Sequence, residues 1–126
     1  MQFSTLRLAN VVVGAPVGAI DHPNAERLEQ ALTPLVEAAA ADATPLLLDF
    51  SGVGYISSMG LRVLMIAAKE LRSRRAALAV AALQPTVAEI FAIARFGHVV
   101  DIYPSVRDAL QALSATALAA YQSASR

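Results

Sequence analysis

The chain has 126 residues, with ten basic and ten acidic side chains, two histidines and no cysteine. That length fits one domain with its own core; the zero formal charge offers no basic footprint for nucleic acid, and the missing thiols exclude disulfides, thiolate metal sites and cysteine nucleophiles. The apolar fraction is 56%, but alanine supplies much of it and no uninterrupted apolar run approaches the ~20 residues that cross a bilayer.

The opening MQFSTLRLANVVV lacks the charged-then-apolar plan of a secretory signal, so the expectation is a cytoplasmic protein that starts directly with its fold. Residues 3–8 and 11–20 predict two strands joined near Asn10, and Pro16 predicts an edge position or a bulge. Asp21 to Asn24 reads as a turn, with Asp21 or Asn24 capping the next helix. That helix, from about Pro23 to Ala41, should bury Leu28, Leu32, Leu35, Val36 and Ala39 and expose Glu26, Arg27, Gln30 and Glu37. Pro34 predicts a kink in it, or a split after Ala31.

Leu46, Leu47 and Leu48 form a continuous apolar run, as expected of a strand at about 45–50 that is covered on both faces. Asp49, Ser51, Gly52 and Gly54 end it as turn formers. Ser57 and Ser58 stand where a helix cap belongs, before an apolar set at Leu61, Leu64, Met65, Ala68 and Leu71 that carries the helix to about Arg74. Ala76 to Leu83 has strand length. Pro85 opens a helix with a stripe of Val87, Ile90, Phe91 and Ala94, which Gly97 should end. Val99 to Tyr103 is a short strand, and Ser105 caps a last helix using Val106, Leu110 and Leu113. Residues 114–126 are Ala/Ser-rich and read as a helical extension or fraying tail beyond a domain at 1–113. The order β-β-α-β-α-β-α-β-α implies an α/β fold: a mixed, largely parallel sheet of four or five strands with about four helices mainly on one side. Leu47, Leu64, Val80, Ile90 and Phe91 belong in its core.

The run Asp49-Phe50-Ser51-Gly52-Val53-Gly54-Tyr55-Ile56-Ser57-Ser58-Met59-Gly60-Leu61 resembles the signature of STAS domains, most closely the bacterial anti-sigma-factor antagonists. Their pattern is an apolar strand, then D-[FL]-S-x-[VL]-x-[FY]-[IM], an acidic residue, a phosphorylatable serine, a small residue and Gly-Leu. Upstream, Gly18-Ala19-Ile20-Asp21 followed by Asn24-Ala25-Glu26-Arg27-Leu28 resembles the family's strand-end Gly-x-apolar-Asp and first helix. The resemblance covers about residues 3 to 113. It implies the STAS fold and, on this register, Ser58 as phosphoacceptor. Ser57 stands in place of the acidic residue and Met59 in place of the small one.

The implied function is that of an anti-sigma-factor antagonist. Such a protein binds an anti-sigma factor with serine kinase activity, is released by phosphorylation at Ser58, and so controls sigma-factor-dependent transcription. A phosphatase would reset it, and the domain would be a monomer or weak dimer, with no cofactor, no nucleic acid and no membrane span. It would not itself be an enzyme. The alternative is an accessory STAS subunit of a stress-signalling or lipid-transport complex that is never phosphorylated.

Each site residue has a plainer reading beside the functional one. A serine at Ser57 or Ser58 is a helix cap worth about 1 kcal/mol, and a cap is also exposed enough to accept a phosphate. Asp21 is a turn aspartate or a kinase-docking residue. Met59 packs at the helix start or offers an adaptable contact to a partner. Arg62, Lys69, Arg72, Arg74 and Arg75 make a solvated face suited to the helix dipole, and Arg62, one turn from Ser58, is the one placed to meet an acidic partner. Partner binding is thus expected at Asp21, Ser57, Met59 and Arg62. Catalysis lacks support: G-x-S-x-G is absent around Ser58, His22 and His98 are the only candidate bases, and GVG at 52–54 is too short for a phosphate cradle. Two histidines do not make a metal site.

Overall fold

The computed structural model describes residues 1–124. Strands β1 (Gln2–Leu8) and β2 (Val11–Val17) form an antiparallel hairpin, followed by α1 (Ala25–Asp42), β3 (Leu46–Asp49) and α2 (Ser58–Ser73). β4 (Leu78–Ala81), α3 (Pro85–Ile93), a 3-10 turn (Phe96–His98), β5 (Asp101–Tyr103), α4 (Val106–Leu113) and α5 (Ala115–Ala124) complete the order. The strands lie in sequence order, β1-β2-β3-β4-β5, and every pairing after the hairpin is parallel. This is the mixed, largely parallel α/β sheet expected.

Side chains alternate along each strand, so one sheet needs two sets of partners. Leu46 and Leu48 join Val12, Leu78 and Val80 under α1, α2 and α3, while Leu47 joins Val11, Val13, Ala79 and Ala81 beneath α4 and α5. All three leucines are fully buried, which is why the β3 sequence is apolar without a break. Leu47, Leu64, Val80 and Phe91 lie in the core as expected, and Ile90 is half-buried against it. Phe50, Phe91 and Phe96 meet in series, edge-to-face and then tilted, with ring centroids 6.0 and 4.9 Å apart, and tie the end of β3 to α3 and the 3-10 turn.

Several local expectations are corrected. Pro16 is neither at an edge nor in a bulge: β2 lies inside the sheet, in unbroken register with β1 from Val11 to Val17. Its even-numbered amides face β3, since Val12 donates to the Pro45 carbonyl and Gly18 to that of Gly52. The β3 pairing stops at Gly14, so Pro16 falls in the gap, where no donor is required. Pro34 does not split α1 after Ala31, since the helix runs unbroken through it. Pro34 and Gln30, whose carbonyl loses its donor, both lie on the exposed face, open to solvent. Gly97 does not end α3. The helix stops at Ile93, Arg95 turns the chain with φ 54°, and Gly97 sits within the 3-10 turn. Within the expected helical extension or tail, Ala115–Ala124 form α5, with Ala117 fully buried against the outer sheet face. Ser114 caps it by accepting from the Ala117 amide and is hydrogen-bonded to Asn10. The end of that tail, residues 125 and 126, lies outside the described residues.

Candidate functional site

In a parallel sheet the strand C-termini and helix N-termini gather at one end, and here that end carries the two loops singled out in the sequence. The loop after β2 and the loop after β3 are tied by backbone bonds. Ile20 donates to the Tyr55 carbonyl at 2.8 Å, and Ser57 donates back to the Ile20 carbonyl at 2.8 Å, making an isolated parallel bridge between Ile20 and Ile56. Gly18 adds a bond to the Gly52 carbonyl at 2.9 Å. From the other side, Gln84 Nε2 donates to the Ser51 carbonyl at 2.8 Å, and Asp49 Oδ1 accepts from the Ser51 amide at 3.0 Å.

The two adjacent serines are put to different uses. Ser57 has extended backbone, and its Oγ accepts from the Gly60 amide at 3.2 Å, so Ser57 is the cap of α2. Ser58 is the first helical residue; it is exposed, and its hydroxyl has no protein partner among the described residues. Gly60 lets the helix start approach the stitched loops. A Cβ there would stand 2.8 Å from both Ile20 Cγ2 and Ile56 Cγ1, closer than packed atoms come. No acidic residue occupies the first turn of α2, so its positive end faces solvent without a built-in anion.

Asp21 lies on the other stitched loop. Its Oδ1 accepts from the Asn24 amide at 3.1 Å, while Asn24 Nδ2 donates to the Ala19 carbonyl at 3.0 Å. Asp21 therefore shapes the turn, and Asn24 holds the N-cap position without a side-chain cap bond. His22, Pro23, Ala25, Glu26 and Glu29 line a cleft of about 350 Å³ with Met59 and Val63 across from them. Met59 is 38% exposed and Tyr55 46%. The structure thus gathers the Asp21 loop, Ser57, Ser58 and Met59 at one end of the molecule, with Arg62 exposed one turn further along α2. Tyr55 and Gly60 were missed as site residues. Both stood in the signature run, but only the bridge to Ile20 shows why an exposed aromatic and a small residue belong there. Among the described residues there is no cluster of three or more His, Asp or Glu side chains that could hold a metal. No described helix is long and apolar enough to cross a membrane.

The family model for the STAS domain matches residues 3–109. BtrV of Bordetella bronchiseptica, named as a candidate anti-sigma factor antagonist, is 32% identical over 118 residues, which cover 94% of this chain and 98% of that protein. An anti-sigma factor antagonist from Mycobacterium paratuberculosis of known structure is 28% identical, with a TM-score of 0.72 over 89% of this chain and 94% of that one. A Thermotoga maritima protein shares the fold at a TM-score of 0.79 and 19% identity, over 88% of this chain and 93% of its own.

Proposed function

The chain belongs to the STAS domain family, and on that premise we propose that it is an anti-sigma-factor antagonist switched by phosphorylation at Ser58. Unphosphorylated, it holds an anti-sigma factor with serine kinase activity and leaves a sigma factor active. The partner brings ATP. Transfer moves the terminal phosphoryl group to Ser58 Oγ, breaks its bond to ADP and releases the hydroxyl proton. A phosphatase reverses the mark, the domain itself does no catalysis, and the cycle runs in the cytoplasm with the antagonist as monomer or weak dimer.

The observation that carries this reading is the exposed, unpartnered hydroxyl of Ser58 at the start of α2, beside a Ser57 hydroxyl already engaged as cap. The domain tolerates an anion there, because helix dipole and opening amides favour one. A partner seated over the same helix start does not: it would have to bury about −1.5 to −2 charges. A penalty of only about 3 kcal/mol would weaken binding more than a hundredfold. Asp21, Ser57, Met59 and Arg62 would form the contact surface around the acceptor.

The test is incubation with the partner kinase and ATP, read by intact mass. One phosphate should be added, Ser58→Ala should abolish it, and Ser57→Ala should not. Labelling at Ser57 would shift the register by one residue. A specific observation favours the second reading, an accessory STAS subunit without a phosphorylation cycle: Ser57 and Met59 stand where the family pattern has an acidic and a small residue. No label on any serine from any partner kinase would establish that reading.

A further inference from the structure

Arg62 follows Ser58 by four positions on α2, so the two side chains lie one turn apart on the same face of the helix. Both are exposed. Three other arginines are engaged: Arg7 pairs with Asp42, Arg74 with Glu37 and Glu70, and Arg72 donates to the Val99 carbonyl. Arg27, Arg75, Arg95 and Arg107 have no such partner among the described residues, but none of them lies one helical turn from Ser58. Arg62 has no ion pair or hydrogen bond among the described residues, and its own helix offers none. The positions three and four away in either direction are Met59, Ser58, Met65 and Ile66. The charges facing the start of α2 from elsewhere are mostly of the other sign. Asp21 and His22 lie on the loop after β2, and Glu26 and Glu29 lie on the first turns of α1, across the cleft from Met59. For an anion carried on Ser58, Arg62 is the cation one turn away on its own helix, while Lys69 and Arg72 lie two or more turns further along.

We propose that Arg62 is the intramolecular counterion of phosphorylated Ser58, so that phosphorylation both adds an anion and withdraws a cation from the partner surface. The inference rests on the reading of Ser58 as the acceptor. The guanidinium fork matches two phosphate oxygens, which an ammonium does not. The order is also the favourable one, with the anion N-terminal to the cation at i,i+4. In the unphosphorylated protein Arg62 is available to a carboxylate of the partner. Once Ser58 is phosphorylated, the same guanidinium folds back by one turn, and the partner loses an attraction at the moment it gains a repulsion. The backbone need not move for this to happen.

The test uses full-length protein with phosphoserine installed at position 58 during translation, so that no kinase is needed. The phosphate's second ionisation, near 6 in a free phosphoserine, is followed by phosphorus NMR. In the otherwise wild-type protein it should lie about 0.3 pH unit below its value in Arg62→Gln, with Arg62→Lys between them. Lys69→Gln, which removes an exposed charge two turns further along α2, should leave it unmoved. The Arg62 Nε resonance should shift between serine and phosphoserine forms. Equal ionisation in wild type and Arg62→Gln, an equal effect from Lys69→Gln, or an unmoved Nε resonance would each overturn the ion pair. Failure of every kinase to label Ser58 would instead remove the functional reading while leaving this measurement intact.

Discussion

Ser57 and Ser58 share one chemistry and differ by one step along the backbone. With ψ at 169°, Ser57 is held outside the helix, with its hydroxyl turned onto the Gly60 amide, whereas Ser58 is inside with its hydroxyl left over. Sequence spacing places a cap within a residue or so of this point and cannot say which hydroxyl is consumed, because cap and first helical residue differ only in backbone conformation. Stability separates the two. Ser57→Ala should cost about 1 kcal/mol, lowering Tm by several degrees in calorimetry, while Ser58→Ala should stay within about 0.5 kcal/mol. Gly60→Ala should cost about 1–3 kcal/mol, despite alanine's better helix propensity, because its methyl meets two fully buried isoleucines.

Elements were legible where their pattern depends on burial alone. The three leucines of β3 were placed by their unbroken apolar run, and the Val87 and Phe91 stripe of α3 and the Leu28 to Ala39 face of α1 by periodicity. Breakers misled wherever the surroundings removed their cost: Pro34 faces solvent, Pro16 sits in a gap of the ladder, and Gly97 turns within a 3-10 segment that Arg95 has already begun. The last helix was legible as a helical extension, but its packing was not. Its side chains are small and its apolar face weakly marked, but β1 and β2 leave Leu8, Val11 and Val13 needing cover, and Ala117, Leu118 and Tyr121 supply it. Ending the chain after Leu113 should therefore lower stability by about 2 kcal/mol or more, measured by denaturant unfolding; an unchanged midpoint would mean that α5 is dispensable.

At the scale of the whole molecule, the sheet sorts its two faces by task. The α4 and α5 side completes the core, while the ends of α1 and α2, on the other side, present the exposed serine and the cleft. This separation was implicit in the strand order and the signature run, since parallel strands bring helix N-termini to one end. The stitching of the two loops was not, because it consists of backbone bonds that leave no trace in residue identity. Its consequence is one of rates. With Ile20 bonded in both directions to the loop that carries Ser57, the backbone of the two loops is already held together before a partner seats. Encounter should then proceed in one exponential phase at about 10⁵–10⁷ M⁻¹s⁻¹, the range for docking two preformed patches. In stopped-flow with the partner, phosphorylation should chiefly shorten the lifetime of the complex. A slow first phase independent of partner concentration would mean that these loops come apart before they bind.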